Sequence, residues 1–294
     1  MKARMRFLCY IVIALAFIST SLPAQAAGRD CNWLVAGRTY AFESEGFANS
    51  GGPQSLNAVG GMVTFLSNGK ARGYVNLTVD GSPFGGTIDE EVSSYSFAWN
   101  LEQKPAVCTG TATLNGADLP SGNFVVVVSN AGERLEMLHN DAGVTLSFTA
   151  LLMERGHCGD RTLDGPYSYN AKGWMSKNFV PGGDDRDYSG FVPFEFSGVI
   201  SFHPKQAPAD PTAPKGSALL TGWDNVLLDG VFVPRTYTGW YKVNSDCTSS
   251  MVLNDTLGNP PIHTNNYILR GAKGIAVINT DYGFVLSFSA WQAQ

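Results

Sequence analysis

Four histidines, a few neighbouring carboxylates and five cysteines are the residues of this chain whose chemistry could drive a reaction or hold a metal. His139, His157, His203 and His263 each stand without a second histidine three or four residues away. Metal sites and general-base pairs usually need that close spacing on one element. Glu43 and Glu45 lie two apart on a strand-like run, so they share a face and could act as acid and base. "GGDDRD" from Gly182 to Asp187 and "DEE" from Asp89 to Glu91 concentrate carboxylates, but neither has the ligand spacing of a calcium loop. Both read as solvated loops. No "GxSxG" elbow and no phosphate-cradling glycine loop occurs. These spacings predict no metal site, no cofactor and no assigned catalytic residue.

The cysteines point elsewhere. Lys2, Arg4 and Arg6 precede the apolar run "FLCYIVIALAFI", and "AQA" then offers a cleavage site. Residues 1–26 therefore read as a signal peptide, and the protein as exported, periplasmic or extracellular. Cleavage would remove Cys9 and leave Cys31, Cys108, Cys158 and Cys247, an even set suited to disulfides. No two of these four are closer than 50 residues, which is unlike the tight pairs of zinc motifs. Losing three basic residues moves the net charge from −5 to −8. An acidic chain argues against nucleic acid or an anionic membrane as partner. No later segment has the length of a spanning helix.

The elements that position these residues come in two copies. "DAGVTLSFTA" from Asp141 is answered by "DYGFVLSFSA" from Asp281, and "CTGTATL" from Cys108 by "CTSSMVL" from Cys247. Cys31 is followed nine residues later by Tyr40, and Cys158 nine later by Tyr167. The mature chain thus divides into units 27–155 and 156–294. Pairing Cys31 with Cys108 and Cys158 with Cys247 is the parsimonious arrangement, with cross-half pairing left open.

Within each unit, period-two alternation and turn signals dominate. Asn68-Gly69 marks a two-residue hairpin, and the repeated Asp-x-Gly reads as a turn whose Asp caps it. The first half gives strands near 38–47, 59–67, 70–79, 92–102, 108–114, 122–129, 133–139 and 143–153. The second gives eight more, near 165–174, 191–203, 215–229, 232–244, 247–254, 263–270, 273–280 and 283–292. The expected architecture is all-β: two tandem antiparallel eight-stranded up-and-down barrels, with β-sandwiches as the alternative.

The opening Cys, the Asn-Gly hairpin, "CTGTATL" and the closing "DxGVxLSFTA" resemble a repeat of uncharacterised exported bacterial proteins. That repeat is similar to calycin-like barrels of the allene oxide cyclase or lipocalin type, although "GRTY" and "DGPY" replace the lipocalin "GxW" opening. The resemblance implies a barrel and is nearly silent on activity. Aromatic residues also recur on the strands: Tyr40, Phe42, Phe97 and Trp99, then Tyr167, Tyr169, Tyr237, Trp240 and Tyr241. An eight-stranded barrel is either filled by side chains or holds one small ligand. The set is therefore expected either to fill the core or to line a pocket for a small apolar or amphipathic molecule. The leading expectation is a non-enzymatic exported binding protein. The alternatives are a structural or surface-interaction module of the envelope and a cyclase- or isomerase-like enzyme using Glu43 or Tyr40.

Overall fold

The structure is a computed structural model describing residues 29–48, 55–116, 119–141, 144–154, 156–177, 190–228 and 230–293. The leader and the "GGDDRD" loop lie outside the described residues, as do Ala142 and Gly143 of the first repeated turn. Every regular element described is a strand or a single 3-10 turn.

The first half forms β1 (Arg38–Ala48), β2 (Ser55–Phe65), β3 (Ala71–Val79), β4 (Ser82–Ile88), β5 (Ser94–Asn100), β6 (Val107–Gly116), β7 (Leu119–Ser129), β8 (Arg134–His139) and β9 (Val144–Leu152). The second forms β10 (Gly165–Ser176), β11 (Phe191–His203), β12 (Ala218–Leu228), β13 (Val231–Val243), β14 (Thr248–Asp255), β15 (Ile262–Ile268), β16 (Gly274–Asn279) and β17 (Phe284–Gln292). All described pairings between these strands are antiparallel. In the second half β10 to β17 follow one another around a closed eight-stranded barrel, and β17 returns to β10 with Tyr169 opposite Ala290.

The first half has the same plan with one difference. Its nine strands run β4-β3-β2-β1-β9-β8-β7-β6-β5 in a curled sheet that is not a closed cylinder. β4 and β5 together take the place of β13, broken by the segment from Asp89 to Ser93. Asp89 there donates its amide to Asn115 O at 2.7 Å, and Ser93 donates back to Asp89 O at 3.0 Å. One bridge, Lys70 with Ser94, joins β5 to the chain entering β3. The strand missed by alternation is β4, because Pro83, Gly85 and Gly86 hide it. Gly85 lets the Tyr74 hydroxyl lie close over β4, 2.1 Å from where a Cβ would fall. The overlooked signal was Asp80-Gly81, whose φ values of 46° and 78° make the turn between β3 and β4.

The disulfides pair Cys31 with Cys108 and Cys158 with Cys247, each within its own half. They indicate an oxidising compartment, as exported proteins meet. Among the described residues no helix is long and apolar enough to cross a membrane.

The two units meet through their outer faces, β1–β3 against β15–β17. Gly60 admits Ile278, whose Cβ would lie 3.2 Å from a side chain placed there. Asn76, buried on β3, donates to the Tyr267 hydroxyl at 2.6 Å. Ser287 donates to Ser44 O at 3.2 Å, and Ser289 to Glu43 Oε1 at 2.5 Å. The connection between the units is itself paired, Met153 bridging to Leu269 and the Glu154 amide bonding Ile268 O.

Candidate functional site

Alternation along β10 to β17 sends every second side chain into the barrel, so the two ends can be read separately. At one end Tyr167, Phe202 and Tyr241 pack edge to face, with ring centroids 5.2 and 4.9 Å apart. Tyr241 donates to Asp160 O at 2.9 Å, and fully buried Leu163 fills the space beneath. This end is sealed. Toward the other end the interior opens into a cavity of about 380 Å³, within the range of roughly 300–1,000 Å³ usual for small-molecule sites. Its walls are largely apolar, and the aromatic part is continuous: Phe194 stacks on Phe196 at 5.6 Å, and Phe288 meets Phe196 and Tyr169 at 5.6 and 5.3 Å.

Thr264, Asn279 and Asn259 also reach that wall, but its charged groups gather in one cluster. Asp224 of β12 faces Arg235 of β13 directly across the ladder. The guanidinium grips the carboxylate with two bonds, Nε to Oδ1 at 2.6 Å and an Nη to Oδ2 at 2.9 Å. Tyr169 also donates to Asp224 Oδ2, at 2.9 Å, and lies 3.0 Å from the Tyr237 hydroxyl. Tyr237 in turn reaches Val199 O at 3.0 Å. Two phenolic protons thus serve three contacts. Burial, reinforced by each other and by Asp224, pushes the Tyr169 phenol far above its ordinary pKa, and burial likewise raises Tyr237. Both therefore stay neutral donors. Burial opposes the charge on Arg235, but hydrogen bonding and the charge of Asp224, with Tyr169 and Asp255 adding to it, outweigh that and raise its pKa.

A third charge stands nearby. Asp255 Oδ2 lies 3.8 Å from Arg235 Nη1, an ion pair too long for a hydrogen bond. Its oxygens accept instead from the amides of Leu257 and Asn259 and from the Asn259 side chain. The side chains of Asp224 and Asp255 are 1% and 6% exposed, and that of Arg235 15%.

Of the nine aromatic residues singled out from the sequence, Tyr169 and Tyr237 line this cavity. Tyr167 and Tyr241 form the sealed end. Trp240 alternates with Tyr237 and Tyr241 and so faces the outside of the barrel, partly buried. In the first unit Tyr40 and Phe97 pack around Phe65, and Phe42 meets Phe148 edge to face, with Trp99 against the same core. Tyr40 and Tyr167 play the same part in the two units, each donating to a 3-10 turn, at Gly132 O (2.6 Å) and Ala272 O (2.5 Å) respectively. Glu43 lies in the seam between the units, away from both barrel interiors.

Comparison with protein-family models, with curated proteins and with solved structures found no match to this chain. The cavity and its chemistry therefore have to be read from its own residues. Asp224, Arg235 and Asp255 were not singled out from the sequence. The available signal was charge on an apolar face: Asp224 shares its face with Leu220, Val226 and Leu228, and Arg235 with Val233, Tyr237 and Tyr241. Among the described residues no group of three or more His, Cys, Asp or Glu could hold a metal ion.

Proposed function

We propose that the chain is an exported, non-enzymatic binding protein that takes one small apolar or amphipathic molecule into its second barrel. The observation carrying this reading is a largely apolar cavity sealed at one end and carrying a few buried polar groups, the usual build of a small-molecule site. The first unit supports the second rather than repeating its site, since its interior is packed with its own rings. The candidates for an enzymatic reading do not converge: Tyr40 is bonded to a backbone carbonyl and Glu43 stands outside the barrel.

Titration of the full chain with Nile red, a neutral polarity-sensitive dye, tests the reading. Saturable binding of one dye per chain is expected. Val226→Trp, which places a large ring on the cavity wall, should abolish it while the far-ultraviolet circular dichroism stays unchanged. Absence of saturable binding, or binding indifferent to Val226→Trp, would overturn the assignment.

A further inference from the structure

The polar groups of the cavity also restrict the head group of its ligand, an inference that rests on the binding reading above. The carboxylate acceptors of the charged cluster are already taken. Asp224 Oδ1 holds one guanidinium nitrogen, and Oδ2 holds the other together with Tyr169. Asp255 is occupied by its own turn. Arg235 is different: Nε and one terminal nitrogen are bonded, while Nη1 has only Asp255 at 3.8 Å, beyond hydrogen-bond length. Its side chain keeps 15% exposure, the largest of the three charged groups, and it lines the cavity. The cavity thus offers an incoming molecule a donor. On the wall itself Asp224 balances Arg235, but Asp255, behind the wall and 3.8 Å from Nη1, makes the charge around that nitrogen negative, two carboxylates against one guanidinium.

These two facts select different things. A free N–H asks for an acceptor, whereas a net charge of −1 in an apolar enclosure disfavours an anion, because the low dielectric strengthens repulsion there. We propose that the barrel takes an apolar molecule bearing one uncharged acceptor, such as an ester or ketone carbonyl, which accepts from Arg235 Nη1, and that it discriminates against carboxylate-headed lipids. The guanidinium carbon sits over the Phe196 ring, 5.9 Å from its centroid, a cation–π contact that adds to its hold.

The test uses three ligands of equal chain length, methyl decanoate, decanoate and decylamine, each displacing Nile red from the full chain at neutral pH. Methyl decanoate should bind at least about tenfold more tightly than decanoate, a difference of about 1.4 kcal/mol. Asp224→Asn and, separately, Asp255→Asn each remove one negative charge and should narrow that gap. In the unmodified protein, the infrared carbonyl band of bound methyl decanoate should shift to lower frequency than in hexane, as a hydrogen-bonded ester requires. Decanoate binding as tightly as its ester, decylamine binding most tightly, or an unshifted carbonyl band would each overturn the head-group assignment while leaving a binding cavity in place. If the dye binds nowhere in the chain, the binding reading itself falls and this inference with it.

Discussion

Asp224 and Arg235 face each other across β12 and β13 inside a wall of phenylalanine rings, where their own pairing, the Tyr169 phenol and the nearby Asp255 offset the loss of water. Such a pair costs several kcal/mol per ion to desolvate, and its mutual attraction does little more than recover that cost. Removing one member is another matter, because the remaining charge stays buried. Arg235→Met is expected to lower the free energy of unfolding by about 3–5 kcal/mol in urea titration. The double variant Asp224→Leu with Arg235→Met should regain most of that loss. An equally large loss in the double variant would mean that the pair itself, rather than the orphaned carboxylate, sets the stability.

At the level of elements, the repeated Asp acts as a clip between neighbouring hairpins. Asp141 accepts from the amide and side chain of Asn123 at 3.0 and 2.8 Å. Asp281 accepts from the amide of His263 at 2.7 Å and pairs with its Nδ1 at 2.7 Å. Both partners stand 18 residues before the Asp. From its spacing to Gly the Asp is expected to cap its own turn; the side-chain bonds described run instead to a residue 18 positions earlier on the neighbouring strand, in both copies. Its hydrogen bond with Asp281 raises the His263 pKa above 6.5, against the effect of burial. A raised histidine contributes stability fully below its unfolded value, and that contribution is lost as pH rises through the folded value. His263→Asn reproduces the first copy, so it should keep the clip yet remove this fall in the urea midpoint on going from pH 6 to 8. A midpoint profile unchanged by the substitution would show that the pair is not linked to folding.

For the molecule as a whole, the decisive surface is the seam where the outer face of the curled sheet meets the outer face of the barrel. Glu43 sits there with Oε1 bonded to Ser289 and Oε2 buried without a hydrogen-bond partner. Burial pushes its carboxyl up to about 7, with the Ser289 bond pulling it back in part. The folded pKa is raised, so its contribution to stability is complete below pH 4.5 and is lost as pH rises through about 7. The loss is at most about 3.5 kcal/mol, taking roughly 1.4 kcal/mol per pKa unit. Glu43→Gln should therefore raise the stability at pH 8 and flatten its decline between pH 4.5 and 8, followed by chemical denaturation at each pH. A decline of the same size in Glu43→Gln would place the titrating group elsewhere.

Much of this architecture is encoded locally. Alternation and turns gave all eight strands of the second barrel, because each interior side chain is two residues from the next and each turn carries its own glycine or aspartate. The duplication made the within-unit disulfides the parsimonious choice over cross-half pairing, since a bridge made within one ancestral unit needs no partner from the other, and the structure has those bridges. β4 escaped because proline and glycines mask a strand whose pairing rests on backbone alone. Glu43 was legible as a carboxylate on a strand face but not as a buried one, because its burial comes from a surface 246 residues away.

The amino-acid order thus determined an all-β chain of two related units with four cysteines to pair, for local periodicity and turn chemistry act over a few residues. Three outcomes waited on the tertiary structure: which unit closes, which encloses space, and which charges meet inside it. Closure depends on whether β13 runs unbroken where β4 and β5 do not, and a cavity is the volume left after all side chains have packed. Asp224, Arg235 and Asp255 become one cluster only when β12, β13 and β14 pair side by side in this register.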